Sequence, residues 1–158
     1  MTSPGPAAPD DDLRQACSLP ARFADAVTRR DLDGISSCFL PGATWEVPDP
    51  IGIHADGRDA ILAIFTERWP AREFIVQVVS PAIVVGFDGT TASLRSTMIE
   101  YGRFDADRGL TLIGLYNDSV RKAGQEWRFQ RRVLQPLFHD TRPPPGQVLA
   151  RYTQHGLA

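Results

Sequence analysis

Leu19, Phe23 and Val27 recur every four residues, the spacing of one buried helical face, and predict a helix that runs to Arg30. Ser18 and Pro20 suit the first turn of its second half, so the pattern predicts an interruption at Pro20. Asp33 stands where a short second helix needs a cap, with Ile35, Cys38 and Phe39 facing inward and Pro41-Gly42 as the stop. Trp45 and Val47 then share one face of a short strand, Ala43 to Val47. The run Pro48-Asp49-Pro50-Ile51-Gly52 admits only a turn or loop. Past Asp56-Gly57 the helical period returns, with Ile61, Ile64, Phe65 and Trp69 on one side and Pro70 ending it.

From Glu73 onward the period is that of strand. Four segments, Glu73 to Val85, Thr91 to Phe104, Leu110 to Arg121 and Trp127 to Leu137, are separated by turn chemistry at Asp88-Gly89, Asp105 to Gly109 and Ala123-Gly124. Three helices before a meander predict an α+β fold, a cone-shaped barrel whose strongly curved antiparallel sheet wraps around the N-terminal helices. Strands well beyond the usual length of about five or six residues favour a bent sheet. The hollow of such a cone is a natural site for a small apolar molecule. Residues 1–12, rich in Pro, Ala and Asp, read as a disordered tail, 13–138 as one domain, and 139–158 as a Pro-rich tail with a weak helix.

Alternation along the strands assigns faces. An Arg beside a hairpin turn prefers water, so the face of Arg121 points outward and Tyr116 and Asp118 point inward. Ile113 and Leu115 are then an apolar patch on the back of the sheet, the expected surface of a homodimer. In the last strand Trp127, Phe129, Arg131 and Val133 share a mostly apolar face. If that face is inward, Arg131 is a buried cation, and Asp118 is the nearest carboxylate to pair with it. Asp118 is then either half of a structural ion pair or a carboxylate whose pKa the pocket raises. The strand 91–104 leaves both faces open, so Glu100 and Tyr101 are both site candidates. His54, after the loop, is either merely exposed or within reach of the mouth.

Composition narrows the partners. A formal net charge of -2 with no run of Lys or Arg gives no attraction to nucleic acid or anionic lipid. Cys17 and Cys38 lack metal-binding spacing, and reduced thiols in the cytoplasm are the expectation. No apolar stretch approaches the roughly 18 residues of a membrane span, and the opening MTSPGPAAPDDD has neither the basic nor the apolar region of a secretory signal. No glycine-rich nucleotide motif and no metal triad occurs, so no cofactor and no metal are expected.

The stretches Asp31-Leu32-Asp33-Gly34-Ile35, Ala43-Thr44-Trp45-Glu46 and Asp49-Pro50-Ile51-Gly52, with Gly114-x-Tyr116-x-Asp118 and Trp127-Arg128-Phe129 downstream, carry a resemblance. Over about residues 19 to 138 the chain resembles the ketosteroid isomerases and, more broadly, the SnoaL-like polyketide cyclases of the nuclear-transport-factor-2-like superfamily. The resemblance implies a cofactor-independent enzyme that isomerises, cyclises or dehydrates an apolar polycyclic or polyketide-like carbonyl compound by proton transfer. Asp49 takes the place of the isomerase base. Tyr116 falls where the isomerases keep a protonated Asp as hydrogen-bond donor, and Asp118 could orient that phenol or shuttle the proton. The helix-one Tyr of the isomerases corresponds to Phe23, and a His frequent in the first long strand corresponds to Gln77. Trp45, with Phe23, Gln77 and the candidates above, would line the substrate site. The same superfold also hosts non-catalytic binding modules and accessory subunits, which remain the alternative.

Overall fold

A computed structural model of the chain describes residues 9–150, 152–153 and 156–157. Helix α1 (Pro9–Arg29) starts inside the segment read as a tail, whose residues 1–8 lie outside the described residues. It also runs unbroken through Pro20. Ala16, Leu19, Phe23 and Val27 are all fully buried along it, and burial of that stripe outweighs the one hydrogen bond a proline forfeits. Helix α2 (Leu32–Ser37) is capped by Asp31, not Asp33: Gly34 donates its backbone N–H to Asp31 Oδ1 at 2.9 Å.

Strand β1 (Phe39–Val47) starts earlier than its sequence pattern suggests and passes through Pro41-Gly42. After the turn at 48–52 the chain forms a strand that the pattern does not reveal, β2 (Ile53–Asp56), antiparallel to β1. Helix α3 (Arg58–Arg68) leads into one 3-10 turn, Trp69–Ala71, with Pro70 in its first positions. The segment read as one strand from Glu73 to Val85 is two, β3 (Phe74–Val79) and β4 (Ile83–Phe87), parted at Ser80-Pro81, where proline has no N–H for a ladder. Strands β5 (Thr91–Arg103), β6 (Gly109–Ala123) and β7 (Glu126–Asp140) follow. A two-stranded ribbon, β8 (Tyr152–Thr153) with β9 (Gly156–Leu157), stands where a weak helix is expected.

The sheet order is β2-β1-β7-β6-β5-β3, with β4 also paired to β5. All neighbours are antiparallel except β1 and β7, which run parallel, so the curved sheet is mixed and does not close. The concave side is buried. On β6 the inward face is Leu110, Leu112, Gly114, Tyr116, Asp118 and Val120, as alternation assigns it. On β5 it is Leu94, Ser96, Met98 and Glu100.

Strand β7 breaks its own alternation twice. Val120 pairs with Phe129 and Ser119 with Arg131, which leaves Gln130 as an extra residue; Leu137 is a second one between Pro136 and Phe138. Each bulge swaps the faces. Trp127 and Phe129 point in, Arg131 points out to Glu46 (3.2 Å), and the buried cation is Arg132. Past the second bulge His139 turns to the concave side. Gly114 lies against this irregular stretch. A Cβ there would sit 2.7 Å from Leu134 Cδ1 and 2.8 Å from the carbonyl oxygen of Gln135. Gly114→Ala is therefore expected to lower stability by about 1–3 kcal/mol, read as a lower urea midpoint with an unchanged m-value.

Candidate active site

Four strands meet in one transverse row on the concave side. Gln77 of β3 is in register with Glu100 of β5, Glu100 with Leu112 of β6, and Leu112 with His139 of β7. With strands about 4.8 Å apart, Glu100 and His139 stand about 10 Å from each other across Leu112. Tyr116 lies four residues deeper on β6, about 13 Å along the strand. Gly114 in between carries no side chain to fill that distance. Helix α3 and its 3-10 turn lay Phe65 and Trp69 opposite the strands, and Trp45 of β1 stacks on Phe65 at 5.4 Å between centroids. Together these walls enclose a cavity of about 220 Å³, entered past Pro50, Ile51 and Arg68.

The inner end of the cavity is the phenol of Tyr116, 1% exposed. Burial pushes its pKa above the ordinary phenol value, and the nearby Arg132 guanidinium pulls it only partly back. The group therefore stays protonated and can donate a hydrogen bond. Behind it, outside the cavity, Arg132 and Asp118 form an ion pair with both side chains wholly buried: Nε is 3.1 Å from Oδ1, and Nη2 donates to Oδ2 at 3.3 Å. The guanidinium carbon lies 3.6 Å from the ring centroid of Tyr116, 4.2 Å from that of Phe129 and 4.4 Å from that of Phe23. Loss of water raises the pKa of Asp118 to about 6, against the opposing pull of Arg132.

The outer end is more polar. Glu100 accepts from Gln77 Nε2 at 2.9 Å and from Arg72 Nη1 at 3.4 Å. Gln77 is itself fixed by Thr28, whose Oγ1 accepts its backbone N–H at 3.0 Å. Arg68, at the mouth, has its pKa lowered first by partial burial and then by repulsion from Arg72. His139, half-buried, completes the row.

Of the residues singled out from sequence, Trp45, Tyr116 and Glu100 line this cavity. Gln77 stands behind Glu100 and holds it. Asp118 is buried beneath Tyr116 and paired with Arg132, not with Arg131. The remaining candidates are elsewhere. Phe23 is fully buried in the core, in edge contact with Phe39, Trp45, Phe65 and Phe129. Asp49 is exposed on the turn, and only its neighbours Pro50 and Ile51 reach the lining. His54 and Tyr101 point away from the concave side, because both alternate with buried neighbours on their strands. Arg68, Arg72, Arg132 and His139 escape sequence reading. The two bulges hide Arg132 and His139, and a domain boundary drawn at 138 cuts His139 off. Arg68 and Arg72 flank Pro70, where the helical pattern simply stops.

Among the described residues no three His, Cys, Asp or Glu side chains stand together as a metal site, and no helix is long and apolar enough to cross a membrane. A family model described as a SnoaL-like domain matches residues 11–133. No curated protein matches the sequence. Solved structures share the fold. A candidate aromatic ring hydroxylase from Novosphingobium aromaticivorans is 25% identical, with 85% of this chain and 96% of that chain covered and a TM-score of 0.77. A candidate scytalone dehydratase from the same organism is 19% identical, with 87% and 95% covered and a TM-score of 0.74. A hexachlorocyclohexane dehydrochlorinase, LinA-type3, from Novosphingobium barchaimii is 15% identical, with 88% and 98% covered and a TM-score of 0.75.

Proposed function

This chain belongs to the SnoaL-like domain family, and from that premise we propose that it is a cofactor-independent enzyme of isomerase or lyase type, which moves a proton on a small ring-bearing carbonyl compound. The observation that carries the proposal is the partly enclosed apolar cavity with a protonated phenol at its inner end and an imidazole and a fixed carboxylate across its outer row. His139 removes a proton from the carbon next to the carbonyl. Tyr116 donates a hydrogen bond to the enolate oxygen that forms, and Glu100 orients the substrate. The proton then returns to another carbon, or a leaving group departs. Elimination is the class that the names of two structural relatives, a dehydratase and a dehydrochlorinase, also bear. The base role moves from Asp49 to His139 because the Asp49 side chain lies outside the lining.

Size narrows the substrate. A cavity of about 150 Å³ accepts benzene, so 220 Å³ suits one substituted ring or a compact bicycle and not a steroid. The exposed Val76, Val78, Tyr101 and Leu115 on the convex side supply the surface for the proposed homodimer. The alternative, a binding module without catalysis, draws support from the Asp118–Arg132 pair, which is wholly buried as a structural pair should be.

Proton abstraction can be read without the natural substrate, as hydrogen–deuterium exchange beside the carbonyl of a panel of cyclic ketones in D2O, followed by proton NMR. His139→Ala is expected to slow exchange by about 10²- to 10⁴-fold. Tyr116→Phe should slow it by about 10²- to 10³-fold. Asp49→Asn should leave it unchanged. Exchange that survives His139→Ala removes His139 as the base; no exchange across the panel leaves the binding module.

A further inference from the structure

Charge in the cavity is not balanced. Two guanidinium groups, Arg68 and Arg72, face a single carboxylate, Glu100, and no other Asp, Glu, Lys or Arg lines the cavity. The whole chain carries a net charge of -2, so this local excess of positive charge runs against the protein's overall balance. Glu100 offsets only one of the two charges. One of its oxygens is taken by Gln77 Nε2 at 2.9 Å, and the other meets Arg72 through Nη1 alone, at 3.4 Å. Arg72 is 9% exposed at its side chain, and its Nε has no acceptor. Arg68 makes no hydrogen bond among the described residues. Partial burial first, and then repulsion from Arg72, lowers the pKa of Arg68.

The unmet polar atoms point the same way. On the residues that line the cavity, the buried side-chain polar atoms without any partner are donors, Trp69 Nε1 and Arg72 Nε, whereas the Trp45 indole is matched by the Tyr116 phenol. No lining residue leaves a buried side-chain acceptor unmatched. A site built this way lacks oxygen acceptors and one negative charge. A carboxylate is the smallest anionic group that fits such a site, because the planar N–H forks of guanidinium groups meet its two oxygens. Beside them Trp45, Phe65 and Trp69 form a continuous aromatic cluster, with Trp45 stacked on Phe65 and the Phe65 and Trp69 centroids 5.4 Å apart.

We propose that the cavity takes a small ring-bearing carboxylate, its ring against Trp45, Phe65 and Trp69 and its carboxylate on Arg68 and Arg72. The inference rests on the reading of this cavity as the substrate site and names its substrate class, a ring-bearing keto acid in place of a neutral ketone. Arg68 and Arg72 are then the residues that set specificity, and Tyr116 and His139 act at the other polar group.

The test is a charge series on the wild-type protein. Benzoate and benzamide are isosteres that differ mainly in charge, benzylammonium adds a cation of similar size, and each is titrated into the 15N-labelled protein with shift changes followed at the Trp45 and Trp69 indoles. Benzoate is expected to bind at least about tenfold more tightly than benzamide at low salt, and benzylammonium most weakly. Raising the salt should narrow the gap. Arg68→Gln, at the exposed mouth, should weaken benzoate about three- to tenfold and leave benzamide unchanged. Arg72→Gln should do the same more strongly, and its amide spectrum shows whether the fold is kept. Benzamide binding as well as benzoate overturns the inference, as does benzoate affinity indifferent to Arg68→Gln. If that happens while ketone exchange still depends on His139, the catalytic reading stands and only the anion preference falls. A benzoate preference with no ketone exchange leaves the anion site standing and removes the catalysis. Failure of all three probes to bind overturns the anion site, and the absence of ketone exchange as well overturns both.

Discussion

Replacing Arg132 by Met is expected to remove about 3–5 kcal/mol of stability at pH 7, the largest single loss among the charged residues. The guanidinium is wholly buried and packed on the rings of Tyr116, Phe129 and Phe23, and it is the partner of an equally buried Asp118. Met can replace much of the packing but leaves the carboxylate alone in an apolar environment. The loss therefore has a pH dependence of defined sign. Burial already holds Asp118 at about 6, above its unfolded value, so the folded state binds the proton more tightly than the unfolded chain. Its contribution is greatest below the unfolded pKa and is lost as the pH rises through 6. Without Arg132 the carboxylate rises further, and Arg132→Met should be closer to the wild type at pH 5 than at pH 7. The double variant Asp118→Leu with Arg132→Met, which removes both charges, should lie within about 2 kcal/mol of the wild type, because a buried pair replaced by apolar side chains is often near neutral. Urea midpoints at the two pH values check this. Equal losses for the single and the double variant would show that packing, and not the uncompensated charge, sets the cost.

Phe23→Ala should cost a similar amount, about 3–5 kcal/mol. The ring stands at the centre of the aromatic core, with centroids 5.6 Å from Phe39, 6.0 Å from Trp45, 6.0 Å from Phe65 and 6.1 Å from Phe129, each in an edge-on arrangement. It also ties α1 to the sheet and supports Trp45 and Phe65 from behind the cavity. Its loss should therefore weaken benzoate binding as well as stability, although Phe23 does not line the cavity. Phe23→Tyr is informative in the other direction. A hydroxyl at this position would be buried among rings and beside the Arg132 guanidinium, behind the cavity lining, so it should destabilise the protein and supply no hydrogen-bond donor to a ligand. A stability loss under about 1 kcal/mol for Phe23→Ala would mean that neighbouring side chains collapse into the space.

Much of the cone is written in local periodicity. The stripe Leu19, Phe23, Val27 is buried as its spacing requires, and the inward face of β6 follows from one residue, Arg121, that prefers water. Turn residues at Asp88-Gly89 and Ala123-Gly124 mark the hairpins. Less of the site is legible. Tyr116 and Trp45 line the cavity, whereas Asp49, His54 and Tyr101 do not, because the sequence around a turn or a two-faced strand does not say which side meets the concave surface. Asp31 and Asp33 flank the same helix start, and only the observed hydrogen bond to Gly34 distinguishes the cap.

The sequence by itself determined an α+β chain with a curved sheet, the core positions of its helices and the inward set on β6. Only the tertiary structure decided that β1 runs parallel to β7, that Arg132 and not Arg131 is buried, and that His139 faces the cavity. The reason is physical. Alternation is a local property of one strand and holds as long as each residue has one partner, whereas a bulge arises where two strands fail to match residue for residue. Gln130 and Leu137 are extra only relative to β6, so the faces of β7, and with them the chemistry of the cavity, are set by a neighbour distant in sequence.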